Sequence, residues 1–140
     1  MKTKEFVIQY DPSYSLGKMF SHFDQAIVGQ EHLQPKNVVV FHDLSTIYST
    51  ITKARLDILT FLIAKQPANI SQLAKLLKRH YAHVWSDCQA LASLGIIELQ
   101  KNEGEKEIVK PIALYEKIIF DFPVKNMVDL YNEKEILKTT

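Results

Sequence analysis

Cysteine, glycine and net charge are all scarce in this 140-residue chain. A single cysteine, Cys88, cannot build a disulfide framework or a cysteine-based zinc site. Four glycines, Gly17, Gly29, Gly95 and Gly104, stand too far apart for a GxGxxG or Walker-type phosphate loop. No run of about 18 apolar residues is present, so no membrane partner is expected. The opening MKTKEFVIQY has basic residues but no apolar stretch before a small-residue cleavage site. It does not read as a secretory signal, and a cytoplasmic location is the expectation. No Ser/His/Asp order and no carboxylate pair stands out. The chain therefore reads as a non-enzyme without a cofactor. Seventeen Lys+Arg against sixteen Asp+Glu leave a formal charge of only +1, which taken as a total argues against nucleic-acid binding.

What is present is a 46% apolar composition with clear local patterning. Residues 4–10 (KEFVIQY) favour a strand. Asp11-Pro12 then supplies an N-cap and a first-turn proline, and Leu16, Met19, Phe20, Phe23, Ile27 and Val28 follow at helical spacing up to Gly29. Val38 to Phe41 reads as a second strand, and a short helix over 43–51 is capped by Asp43 or Ser45. The expected N-terminal extension, residues 1–51, is thus β-α-β-α.

The middle of the chain predicts three helices and a hairpin. Thr52 caps a helix running to Lys65, which the sequence QPAN breaks. Ser71 is read as the N-cap of a short helix over 72–78. A tight junction at Arg79-His80-Tyr81 leads into a third helix to Leu94, with Val84, Cys88, Leu91 and Leu94 on one stripe and Gly95 at its end. Residues 96–100 and 106–112 then form strands around a tip at 101–105. Beyond them, residues 115–122 read as a strand and 124–138 as a last helix.

The segment from Ile51 to Gln100 resembles the winged-helix transcriptional regulators of the MarR/ArsR-like superfamily. The matching residues are Arg55-Leu56 with Leu59, Ile70-Ser71-Gln72-Leu73-Ala74, then Val84, Ala90-Leu91 and Leu94-Gly95-Ile96-Ile97. The resemblance implies an α+β fold: a winged helix-turn-helix of three helices plus a β-hairpin wing at 52–112. The extension at 1–51 and a C-terminal strand and helix at 113–140 would flank it. It also implies sequence-specific binding of double-stranded DNA, with the third helix in the major groove. Small regulators of this kind include antitoxin-type repressors, so the alternative reading is a protein-interaction module, or an antitoxin-type protein with a toxin-like partner, that keeps the winged-helix fold.

Charge position supports DNA binding independently of that likeness. No acidic residue lies between Asp57 and Asp87, while Lys65, Lys75, Lys78 and Arg79 fall in the gap with His80 and His83. Local positive charge supplies the sequence-independent part of DNA affinity. Ser71, Gln72, Lys75, Lys78, Arg79, His80, Tyr81, His83 and Ser86 are the candidate contacts, with Lys101 and Lys106 on the wing. Each has a plainer alternative. Lysine-rich faces are commonly just solvated, and His80 and Tyr81 either read the duplex or cap and pack the turn. Asp87 is expected to orient a neighbouring arginine or histidine, because a free carboxylate would repel phosphate. Trp85 and Cys88 read as core, Cys88 as an inert thiol. His80 and His83 are spaced i, i+3 with Asp87 one turn beyond. Yet a zinc site needs a third protein ligand and supporting groups around it, and His22, His32 and His42 lie in a different region, so no metal site is expected. A homodimer is expected, because one such module reads few base pairs. The apolar flanking strands, together with Met19, Phe20 and Phe23, offer pairing surfaces.

Overall fold

The computed structural model describes residues 4–12, 36–102, 104 and 108–125. The expected helix over 12–28, most of the one over 124–138, and Lys106 lie outside the described residues. The rest forms an α+β arrangement of strands β1 (Glu5–Tyr10) and β2 (Val38–Phe41), helices α1 (Leu44–Thr50), α2 (Lys53–Lys65), α3 (Ile70–Leu77) and α4 (Tyr81–Leu94), and strands β3 (Ile97–Lys101), β4 (Val109–Ala113) and β5 (Lys117–Asp121). By backbone proximity the chain divides into two compact units. One comprises residues 1–6 and 48–118, the other 7–47 and 119–140.

Within the first unit, each helix end is fixed by an identifiable device. Thr52 caps α2, its hydroxyl accepting from the Arg55 amide at 3.3 Å. Gln66 closes α2 in the left-handed region at φ 45°, and buried Pro67 prevents continuation. The cap of α3 is Asn69, two residues earlier than the expected Ser71. Its side chain accepts from the Gln72 amide at 2.7 Å, while the Gln72 side chain accepts from the Ala68 amide at 2.6 Å. Ser71 lies inside the helix and is exposed.

The exits of α3 and α4 share one geometry. Lys78 takes φ 56°, its amide donates to Lys75, and the Arg79 amide donates to Ala74. Gly95 takes φ 85°, its amide donates to Ala92, and the Ile96 amide donates to Leu91. Both are Schellman closures, the second with the glycine that geometry favours and the first with a lysine. The short α3 and the abrupt turn into α4 follow from the first of them.

Helix α3 packs on α2 and α4, α2 on β4, and α4 on β3. Ile58, Leu62, Ile70, Leu73, Val84, Cys88, Leu91 and Ile96 form the core between them, each at most 4% exposed. β3 and β4 pair antiparallel with Leu99 opposite Pro111, and the ladder extends through Leu114 to Ile96. β4 starts at Val109, later than the expected residue 106. The intervening residues 103–107 include three glutamates and a lysine, types with little preference for a pleated strand.

In the second unit, Val7 to Tyr10 pair in parallel with Val38 to Phe41. The strand order of the three-stranded sheet is β2-β1-β5. Burial alternates along β1, with Phe6, Ile8 and Tyr10 buried, as the period of a strand requires. Asp43 begins α1 by accepting from the Thr46 amide at 2.7 Å and from its hydroxyl. Those bonds hold its carboxyl below the ordinary value. No helix among the described residues is long and apolar enough to cross a membrane.

Candidate nucleic-acid interface

The α3–α4 turn gathers side chains that lie apart in the sequence. Ser71, Ala74, Lys75, Lys78, Arg79, His80 and Tyr81 line one shallow groove. Six of these are residues singled out for contact from sequence alone. Ala74, itself buried, is the addition. Among the described residues, no carboxylate lines it. Ser71, Lys75, Lys78, His80 and Tyr81 are exposed, Tyr81 by 53% despite its aromatic ring. Gln72 is exposed on the same helix, but its side chain is engaged in closing the turn before α3.

Helix α4 continues the surface. His83 and Ser86 are exposed on its first turns, while Val84, Cys88 and Leu91 are buried on the opposite stripe. His80 occupies the N-cap position of α4 without a side-chain capping bond. Its ring stands edge-on to that of His83, with centroids 6.1 Å apart. Among the described residues, no group of three His, Cys, Asp or Glu side chains is gathered to hold a metal ion. Trp85 is half-buried. Burial and the neighbouring Asp87 charge push the Cys88 thiol up to about 12, so it stays protonated near neutrality and is a poor nucleophile.

Arg79 is placed differently from the lysines. Its Nη2 donates to Asp87 Oδ2 at 2.7 Å, and its Nη1 is buried with no hydrogen-bond partner. The other carboxylate oxygen of Asp87 accepts from Arg55 Nε at 3.0 Å, and Arg55 Nη1 donates to the Thr50 carbonyl at 2.8 Å. Burial alone would raise the Asp87 carboxyl, but the hydrogen bonds and charges of Arg79 and Arg55 outweigh it and hold it below its ordinary value. Asp87 thus has the arginine partners that a carboxylate in an otherwise basic stretch calls for. Arg55 was not among the expected site residues. Its signal was the charge partner that Asp87 requires, which spacing could not locate 32 positions away.

The hairpin supplies less. Lys101 is exposed at the end of β3, and Lys110 on β4 lies diagonal to Glu98 in the register. A separate concavity of about 610 Å³ lies between the end of α2 and β4. Its lining mixes Lys4 and Lys110 with Glu116 over Leu62, Ile63 and Pro111.

The sequence model of the family HVO_A0114 matches residues 50–120, half of the chain and the whole span of α2 to β4. The chain belongs to that family. No curated protein matches it.

Proposed function

We propose that this chain is a DNA-binding transcriptional regulator, most simply a repressor that occludes its site as a homodimer. In this reading α2, α3, α4 and the β3–β4 hairpin are a winged helix-turn-helix. The exposed first turns of α4 enter the major groove, and the hairpin is the wing. One observation carries the proposal: the α3–α4 groove, in which Lys75, Lys78, His80, Ser71 and Tyr81 converge with no carboxylate among the described residues that line it. That is the chemistry of a phosphate seat, with cations for charge and hydroxyls for geometry.

Fluorescence anisotropy with a labelled mixed-sequence duplex tests it. Binding should appear at low salt, with log K falling linearly as log salt rises. A chain that binds no duplex at low salt would sink the proposal.

The homodimer rests on a different observation. Phe120 and Phe122 stack at 6.2 Å yet remain 42% and 37% exposed, beside Val124 at 66%. An apolar patch of this kind suits a protein contact. Sedimentation of Phe120→Ser should show a lighter species than the parent chain. A toxin-like partner on the same patch would instead leave the parent monomeric.

A further inference from the structure

We propose that Arg79 acts in duplex binding as a positioning residue and not as a phosphate contact. Asp87, clamped between Arg55 and Arg79, sets the pitch at which α4 presents its outer face. The proposal rests on the DNA-binding reading and divides the roles within that site.

Three observations carry it. First, the guanidinium faces inward: Nη2 is committed to Asp87 and Nη1 is shut off from solvent, leaving the side chain 29% exposed. A phosphate contact must be open to solvent, as the exposed Lys75 and Lys78 of the groove are. Second, the clamp joins three separate elements. Asp87 lies in the second turn of α4, Arg79 at the α3–α4 turn, and Arg55 in the first turn of α2, where it also holds the Thr50 carbonyl. Third, the turn is strained at its closing residue and uncapped where the next helix begins. Lys78 sits in a left-handed conformation that a non-glycine residue adopts at a cost, and α4 begins without a side-chain cap. A charge-assisted hydrogen bond across that turn, added to its two backbone closures, restrains the angle between α3 and α4.

The two roles separate in the salt dependence. A lost phosphate contact lowers the slope of log K against log salt by about 0.9, whereas a misplaced helix lowers K at every salt and leaves the slope alone. With the full chain and a mixed-sequence duplex, Lys78→Asn should flatten the slope by that amount. Arg79→Gln and Asp87→Asn should each bind about tenfold more weakly with the parent slope, and the double variant no more weakly than either single change. Arg79→Lys retains the charge but not the planar guanidinium that places Nη2 on Asp87, so it should not restore affinity. The assignment is overturned if Arg79→Gln flattens the slope as Lys78→Asn does. It is also overturned if Asp87→Asn binds more tightly, as removal of a merely repelling acid would require.

Amide hydrogen exchange reads the clamp without DNA. Asp87→Asn should speed exchange across residues 79–84 and leave β3 and β4 unchanged, and an unaltered turn contradicts the clamp. A parent chain that binds no duplex overturns the DNA reading and the positioning role with it, while the exchange result still decides whether the clamp exists.

Discussion

The α3–α4 turn and the β3–β4 hairpin both carry lysines, and they differ in what accompanies them. At the turn, Lys75 and Lys78 line a groove with no acid among its described residues, and Asp87 on α4 is engaged by two arginines. On the hairpin, Lys110 lies diagonal to Glu98, and Glu103, Glu105 and Glu107 follow in the intervening sequence. The same residue type stands apart from acids in one place and among them in the sequence of the other. Net charge over a whole chain is therefore a poor guide to binding, because phosphate responds only to charge within about a Debye length, ~8–10 Å in ordinary buffers.

Several substitutions would break or sharpen that contrast. The largest effect is expected beneath the groove. Leu73 is fully buried next to Ala74, and Leu73→Ala should lower unfolding stability by about 2–5 kcal/mol in urea titrations. Asp87→Asn comes next, with a loss of about 1–3 kcal/mol at neutral pH, because it removes charged hydrogen bonds from two arginines. Its pH dependence has a defined sign. The Asp87 carboxyl is depressed in the folded chain, so its contribution is complete above the ordinary value of 3.8 and is lost as pH falls through the lower folded value. Asp87→Asn should therefore flatten the acid limb of a stability–pH curve below about pH 4.

Gly95 links the two regions. A methyl group there meets nothing within 4 Å, but φ 85° disfavours any side chain. Gly95→Ala should cost about 1–2 kcal/mol, seen as a lower melting temperature with the native circular dichroism retained. The smallest effect belongs to the hairpin. Lys101→Gln should change the salt slope of duplex binding by less than half of the roughly 0.9 expected for Lys78→Asn. An equal change at both positions would erase the contrast between turn and hairpin.

Much of the helical unit was readable because local chemistry and tertiary packing agree there. Thr52, Gly95 and the stripe Val84, Cys88, Leu91 each specify one outcome, and the structure has that outcome. The start of α3 was misplaced because Asn69 and Ser71 are both good caps. The deciding residue is three positions on: Gln72 can reach back toward the chain before α3, whereas Ala74, three after Ser71, cannot. The start of β4 was placed early because a run of polar residues carries no period that marks where pairing begins. At the site, the basic composition of the turn was legible, and so was the need for a partner to Asp87. The roles of Lys78 and Arg79 were not separable, since adjacent cations look alike until the geometry shows which one turns inward.

The central claim is that the α3–α4 face meets duplex DNA. An amide chemical-shift titration of the isotope-labelled chain with a mixed-sequence duplex tests it directly. The largest shifts should fall on residues 71–86, with smaller ones near Lys101 and little change on β5. Shifts centred on Phe120 and Phe122 with a silent α3–α4 turn would contradict it.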